Sequence, residues 1–214
     1  MSRAMRFLVP CLALALAIGV GGGCGKSGQQ GGQKGSLLAG GDGRSVALDG
    51  KALEIAGVTV TPPAAWKDLG PSGMRATTFV FGPVAGDADS ATVAVFFFGQ
   101  SQGGDVNSNI ERWVNQMSLP DGGDPGQAAT RDDAVIDGMP AHHVQLEGTY
   151  NAAAMGGGMM MGGQPVAKER YLMSGIVLEA PQGNLFFKLT GPQKTATAMN
   201  EAFLAMLRAA RKSG

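Results

Sequence analysis

One apolar run limits the possible folds more than any other part of this sequence. In a strand at residues 92–98, one face would carry Val93, Val95 and Phe97 and the other Ala94, Phe96 and Phe98. A strand that is apolar on both faces is normally covered on both. The run therefore predicts a central strand of a β-sheet with further structure packed on each side.

Further strands are predicted on both sides of this run in the chain. Short segments rich in β-branched and aromatic residues, bounded by glycine or proline, lie at residues 55–61, 74–81, 130–136, 141–150, 168–179 and 185–190. Asp137-Gly138 is a strong signal for a tight hairpin between two of these segments. Residues 181–183 predict the turn of a second hairpin.

Two amphipathic helices complete the pattern. The first follows a capping residue, Asp105, and its apolar side chains at helical spacing are Val106, Ile110, Trp113, Val114 and Met117. The second begins after Gly191-Pro192, and its apolar side chains are Met199, Phe203, Met206, Leu207 and Ala210. We expect core packing for both sets, with Trp113 and Phe203 as anchors. Together the segments predict an α+β fold, an antiparallel β-sheet with flanking helices that include a C-terminal amphipathic helix.

The N-terminus predicts export. Arg3 and Arg6 precede an apolar run at residues 7–20, which breaks into three glycines followed by Cys24. The run is closer to the about 7–15 residues of a signal peptide than to the roughly 20 of a spanning helix, so we expect it to be removed. Bacterial lipoproteins are cut and lipidated at such a cysteine, although Gly21 stands where a branched apolar residue is usual. We assign residues 1–24 to a signal peptide with this lipobox-like cysteine.

The cysteines and the residue after the cleavage site indicate the compartment. Cys11 leaves with the signal peptide, so the mature chain keeps one cysteine, Cys24, and no disulfide is expected. Gly25 rather than aspartate follows it, which resembles lipoproteins sent to an outer membrane. We expect a protein of the cell envelope, facing the periplasm from the outer membrane, or a secreted one.

Composition divides the rest of the chain into a tether and a domain. Residues 25–50 are dominated by Gly, Gln and Ser and predict a flexible tether, which would reach roughly 25–30 Å from the anchor. Residues 51–214 predict a single α+β domain. Lysine plus arginine equal aspartate plus glutamate at 17 each, so no net charge favours nucleic acid.

The order of these segments resembles a known fold. A strand leads into Pro62-Pro63-Ala64-Ala65-Trp66, and a long two-strand return ends at Phe186-Phe187-Lys188-Leu189-Thr190-Gly191-Pro192 before the final helix. This arrangement is similar to the PsbP-type fold over residues 53–212. Residues 99–104 and 109–113 also resemble uncharacterised bacterial exported proteins. The PsbP-type resemblance implies a non-enzymatic binding or assembly module.

The sequence lacks the common hydrolase, phosphate-binding and zinc-protease motifs. The chain has no Gly-x-Ser-x-Gly elbow, no phosphate-binding Gly-x-x-x-x-Gly-Lys-Ser/Thr loop and no His-Glu-x-x-His. His142 shares the parity of apolar neighbours in its strand and is expected to face inward, with His143 on the surface. Five aspartates miss the spacing of a calcium loop and are interpreted as turn residues, namely Asp121, Asp124, Asp132, Asp133 and Asp137. No cofactor is expected.

A methionine-rich segment is the least ordinary internal feature. Met155, Met159, Met160 and Met161 lie among glycines in residues 155–163. Thioethers are soft ligands that suit Cu(I), and an exported protein meets copper outside the reducing cytoplasm. The alternative is an adaptable apolar loop that contacts a partner, or a permissive insertion.

These observations favour a non-enzymatic, lipid-anchored or secreted binding or assembly module of the envelope. Its expected partners are the membrane, through the N-terminal lipid, and an envelope protein. The second hypothesis is an envelope protein that binds a soft metal, Cu(I), through the methionine-rich segment. The third is an enzyme whose motif is not recognised.

Overall fold

The computed structural model describes Leu38, residues 46–151 and residues 167–214. Within these ranges it contains eleven strands and three helices. The strands are β1 (Leu53–Ile55), β2 (Val58–Val60), β3 (Lys67–Asp68), β4 (Arg75–Phe81), β5 (Ala91–Phe97), β6 (Met117–Ser118), β7 (Thr130–Ile136), β8 (Met139–Asn151), β9 (Ala167–Ala180), β10 (Gly183–Pro192) and β11 (Arg211–Lys212). The helices are α1 (Val106–Val114), α2 (Pro125–Ala128) and α3 (Gln193–Arg208).

The strands form two antiparallel sheets. The large sheet has the order β3-β4-β5-β10-β9-β8-β6, and β7 pairs with β8 on the same side as β6. The small sheet has the order β1-β2-β11, which joins the start of the domain to its last residues. The predicted α+β class, with a C-terminal helix packed on an antiparallel sheet, is confirmed.

Each face of the large sheet buries an apolar cluster under a helix. We call the side under α3 the α3 face, where Phe203 and Met199 pack on Phe187 and Ile176. We call the opposite side the α1 face, where Ile110, Trp113 and Val114 pack on residues that include Phe186 and Val177. Trp113 and Phe203 are both buried, which confirms them as core residues of their helices.

The predicted central strand is central, but its two faces differ. β5 pairs with β4 on one side and β10 on the other. Val93 and Val95 are fully buried on the α3 face, whereas Thr92, Ala94 and Phe96 on the α1 face are only half-buried. The expectation of full cover on both sides is therefore wrong for the α1 face, because α1 packs near β8 and β9 and leaves β5 partly open.

Most predicted hairpins and helices are present. Asp137 and Gly138 have φ of 49° and 72° and form the tight turn between β7 and β8, and β9 and β10 form the second hairpin. Asp105 caps α1, since its carboxylate accepts a hydrogen bond from the Ser108 N–H at 2.9 Å. The helix ends at Val114, however, so Met117 is buried from strand β6 rather than from the helix.

The first predicted strand is two strands in the structure. Residues 55–61 are interrupted at Ala56 and Gly57, whose φ angles of 55° and 74° turn the chain back so that β1 pairs with β2. The short elements β3, β6, α2 and β11 had no signal of their own in the sequence. In the part of the chain that the structure describes, no helix is long and apolar enough to cross a membrane.

Candidate functional site

The two histidines lie on opposite faces of β8, but the inward one is not the one expected. His143 is buried on the α3 face, whereas His142 lies half-buried on the α1 face with the parity of Val144. Parity placed the two side chains correctly on opposite faces. The prediction that His142 faces inward and His143 faces solvent was wrong because β8 has packed residues on both faces. On the α1 face this packing is incomplete at His142.

His142 joins three strands by ion pairs. Its Nδ1 lies 2.8 Å from a carboxylate oxygen of Asp133 on β7, and its Nε2 lies 2.9 Å from one of Glu179 on β9. Burial lowers the pKa of His142, but the hydrogen bonds to Glu179 and Asp133 outweigh it, and the pKa is raised. The two carboxylates stabilise the protonated ring, and the ion pairs link β8 to β7 and β9.

His143 has a structural environment. Its Nε2 lies 2.9 Å from the hydroxyl oxygen of Ser174, and its Nδ1 has no hydrogen-bond partner among the described residues. Burial lowers the pKa of His143 to about 4, so the ring is neutral at physiological pH. A neutral, enclosed imidazole with one hydrogen bond fits a core position.

Lys188 is the least expected side chain of the core. It lies on β10 with the parity of Phe186 and is 3% exposed. Its strand neighbours on the two sides are Ala94 and Gly175, which are both small residues. The ammonium donates a hydrogen bond to the amide oxygen of Gln116, which is buried just after α1.

Aromatic rings cover the Lys188 ammonium and its surroundings. Nζ of Lys188 lies 5.0 Å from the centroid of the Tyr150 ring, and that ring stacks on Tyr171 with centroids 6.0 Å apart. Nζ of Lys168 lies 5.4 Å from the Tyr171 centroid, and the guanidinium of Arg75 lies 5.8 Å from the Phe96 centroid. Such cation–π contacts attract a cation without neutralising it.

We call the six residues of this region the basic aromatic face: Arg75, Phe96, Tyr150, Lys168, Tyr171 and Lys188. Lys168 also bonds to Asp89, at 2.9 Å, and the Tyr171 hydroxyl donates to the same carboxylate at 2.8 Å. Among the described residues, no carboxylate lies within ion-pair distance of Arg75 or Lys188.

The electrostatics of the basic aromatic face are dominated by positive charge. Burial lowers the pKa of Lys188 to about 7, and repulsion from Arg112 adds to the effect. Burial raises the pKa of the Tyr150 hydroxyl, while the positive charges of Arg75 and Lys168 act in the opposite direction. The face can therefore attract an anionic group, and its buried amine exchanges a proton near neutral pH.

Sequence reasoning missed Lys188, although one signal was available. A lysine in the middle of an apolar strand, flanked by Phe187 and Leu189, is rarely left without a partner. The residues that meet it come from β8, β9 and the end of α1, which are far apart in the sequence. Their convergence depends on strand order, which the sequence pattern alone does not specify.

The predicted site residues are only partly described. Cys24 and the four methionines, Met155, Met159, Met160 and Met161, lie outside the described residues. Of the aspartates interpreted as turn residues, Asp121 and Asp124 accept hydrogen bonds from nearby backbone N–H groups. Asp133 pairs across the hairpin with His142, and Asp137 is a turn residue whose carboxylate also accepts a hydrogen bond from the distant Lys212 N–H.

Asp132 is the fifth of these aspartates, and it too makes a long-range contact. Its carboxylate accepts a hydrogen bond from the backbone N–H of Leu38 at 2.9 Å. The turn interpretation is therefore wrong for Asp132 and Asp133, which lie within β7. No group of three or more His, Cys, Asp or Glu side chains in the described ranges is arranged to hold a metal ion.

Comparisons with known proteins match this architecture to solved structures only. No protein-family model and no curated protein matches the chain. LpqN of Mycobacterium tuberculosis, described as involved in cell envelope biogenesis, is 10% identical with a TM-score of 0.46, covering 78% of this chain and 86% of LpqN. The cyanobacterial PsbP (CyanoP) of Synechocystis is 11% identical with a TM-score of 0.44, covering 80% of this chain and 99% of that one.

A third match is a protein of Bacteroides thetaiotaomicron, 10% identical with a TM-score of 0.42, covering 77% of this chain and 49% of that one. One of these matches is itself a PsbP protein, the family that the order of segments in the sequence resembles. At such low identity and similarity, these structures transfer no ligand, partner or activity to this chain.

Proposed function

We propose that this chain is an exported, non-enzymatic binding module of the cell envelope that holds an anionic group of its partner on the basic aromatic face. The observation that carries the proposal is the buried ammonium of Lys188, which no carboxylate of the described residues neutralises. A buried charge without an ionic partner destabilises a fold. Such residues are concentrated at functional sites.

An anion bound at the basic aromatic face would offset the unneutralised positive charge of Lys188. Arg75 is exposed and lies at the open part of the α1 face, where Phe96 and Ala94 are only half-buried. The guanidinium can bind a carboxylate or phosphate through paired hydrogen bonds. Lys188 then contributes from beneath the Tyr150 ring, because its positive field acts through a region of low dielectric.

The N-terminal pattern supports the envelope location. Arg3, Arg6 and the apolar run predict export, and Cys24 is the proposed point of lipidation. A tether would place the binding face away from the bilayer surface, within reach of proteins and polymers of the envelope. We propose an outer-membrane lipoprotein that faces the periplasm, with a secreted form as the alternative.

Thermal melting in the presence of inorganic phosphate tests the anion site. An anion that binds the folded state raises the melting temperature with its concentration. We expect phosphate to raise the Tm above that in chloride at equal ionic strength, and Arg75→Ala and Lys188→Met to abolish the difference. Arg131→Ala is the matched control, because Arg131 is an exposed arginine that pairs with Glu111. An equal response in all four proteins would contradict an anion site on the basic aromatic face.

A catalytic role for Lys188 is a second candidate function, and the lowered pKa of its buried amine is the observation that favours it. A lysine whose pKa is lowered to about 7 is partly neutral at physiological pH and can act as a nucleophile. The test is the trapping of an added aldehyde, glycolaldehyde, on Lys188 by borohydride reduction. Modification of Lys188 faster than of the exposed Lys67 would support this function, and slower modification would exclude it.

The copper hypothesis remains a separate proposal for Met155, Met159, Met160 and Met161. It is supported by the soft thioether chemistry of these side chains and by the predicted export. The intact protein would then compete for Cu(I) with a calibrated chelator under reducing conditions, and deletion of residues 156–163 would abolish the competition. If the intact protein does not compete, the methionines have another role.

A further inference from the structure

Leu38 is buried in the domain although it lies in the segment predicted to be a tether. Its side chain is 3% exposed and belongs to the apolar cluster of the α3 face. Its backbone N–H donates a hydrogen bond to the carboxylate of Asp132 on β7 at 2.9 Å. The contact joins residues 94 positions apart in the sequence.

The contact lies in a groove of about 710 Å³ between β7 and the C-terminal end of α3. Ala134, Ile136 and the 71% exposed Val135 supply apolar atoms, while Arg208 and Arg211 lie on the opposite side. β7 pairs with β8 on one side only, and no other described strand pairs with it. The groove therefore borders a sheet edge that offers hydrogen-bonding groups to an extended segment.

The sequence of the tether identifies the occupant. Between Cys24 and Val46, the apolar side chains are Leu37, Leu38 and Ala39, and every other residue there is glycine, polar or charged. A Gly/Gln/Ser chain has few residues that an apolar groove can bury. The one short apolar run of the tether is thus also the place where a buried contact with the domain occurs.

We propose that Leu38 is a latch that docks the membrane-proximal segment of the chain in this groove beside β7. The latch divides the tether predicted from the sequence and leaves residues 25–37 as its part between Cys24 and the docked leucine. Random-coil scaling reduces the reach of the tether from roughly 25–30 Å to roughly 18–22 Å. Burial of one leucine is comparable in free energy to the entropy lost on ordering one or two residues, so the latch can open and lengthen the reach.

Hydrogen exchange of the full chain, measured by mass spectrometry, tests the latch. In the parent protein, we expect peptides that contain Leu38 to exchange about tenfold or more slowly than an unstructured chain. Leu38→Ser removes the buried side chain and Asp132→Ala removes the acceptor, and each is expected to restore the rate of an unstructured chain. Asp133→Ala is the matched control, because this neighbouring carboxylate bonds to His142 on the opposite face and not to Leu38.

Loss of the Leu38 contact can be distinguished from unfolding of the domain and from absence of the proposed anion site. Peptides from β9 and β10 report whether each variant keeps its folded core, and the latch depends on neither phosphate nor Lys188. Retained protection of Leu38 in both Leu38→Ser and Asp132→Ala would overturn the proposal. Unprotected exchange of Leu38 peptides in the parent protein would overturn it without any variant.

Discussion

At the scale of single residues, Lys188 and His142 show two opposite ways to place a cation on this sheet. His142 lies between the carboxylates of Asp133 and Glu179, and its pKa is raised. Its ion pairs stabilise the fold below the usual histidine pKa, and this stabilisation is lost as pH rises through the raised value. Lys188 has neutral partners, and burial lowers its pKa to about 7.

Replacement of Lys188 by methionine tests the cost of the buried ammonium. Between pH 7 and the usual lysine value of 10.5, the unfolded parent protein binds more protons than the folded one, so its stability rises with pH. We expect Lys188→Met to remove this rise and to increase the free energy of unfolding at pH 7 by about 1–2 kcal/mol. Urea unfolding at a series of pH values measures both effects.

Lys168→Met is the control for this substitution. The hydrogen bond from Lys168 to Asp89 raises the pKa of Lys168, so its removal does not flatten a rise between pH 7 and 10.5. Parallel stability profiles for the parent and Lys188→Met across this pH range would show that the Lys188 ammonium remains solvated.

At the scale of secondary-structure elements, the packing of α1 on β9 depends on a glycine. A Cβ atom at Gly175 would lie 2.4 Å from Cε3 of Trp113, which is closer than van der Waals contact allows. The indole therefore lies directly on the backbone of β9, and the helix approaches the sheet more closely there than another residue would permit.

A double-mutant cycle of Trp113 and Gly175 tests this packing. We expect Trp113→Ala to lower the free energy of unfolding by about 3–5 kcal/mol and Gly175→Ala to lower it by about 1–3 kcal/mol. The added methyl group has room once the indole is removed, so the double variant is expected to lose less than the sum. Strict additivity in chemical denaturation would contradict direct contact between Trp113 and Gly175.

The elements that the sequence predicted well are those with a strong local period or turn. Asp137-Gly138 specified the β7–β8 hairpin, and the helical spacing around Trp113 and Phe203 specified α1 and α3. The turn at Ala56-Gly57 was not predicted because alanine, unlike glycine, asparagine or aspartate, rarely adopts a positive φ. The site around Lys188 was not predicted because Lys188, Gln116 and Tyr150 meet only after distant strands have paired. The burial of His142 was predicted wrongly because the part of a sheet that a helix covers depends on tertiary packing, which strand parity does not show.

At the level of the domain as a whole, one face of the large sheet is partly open. The large sheet is closed by α3 on one side, while α1 leaves Thr92, Ala94 and Phe96 half-buried on the other. The guanidinium of Arg75, 5.8 Å from the Phe96 centroid, lies at this opening, although the chain as a whole carries no net charge. Local rather than overall charge therefore selects the proposed partner.

Metabolic labelling with a fatty acid tests the proposed anchor. The parent protein is expected to incorporate the label because Cys24 follows the predicted signal peptide and three glycines. Cys24→Ser removes the acceptor thiol and is expected to abolish incorporation, whereas Cys11→Ser removes a cysteine of the predicted signal peptide and is expected to preserve it. Unchanged labelling of Cys24→Ser would contradict lipidation at Cys24.

Site-specific photocrosslinking in the native envelope tests whether the basic aromatic face binds an anionic partner. We would place a photoreactive phenylalanine at Phe96, within the basic aromatic face, and at Leu69, an exposed apolar residue outside it, as the control. We expect a discrete adduct from position 96 that Arg75→Glu and high salt abolish, and no such adduct from position 69. An absence of adducts from position 96, or adducts there that are insensitive to Arg75→Glu, would contradict binding of an anionic partner on this face.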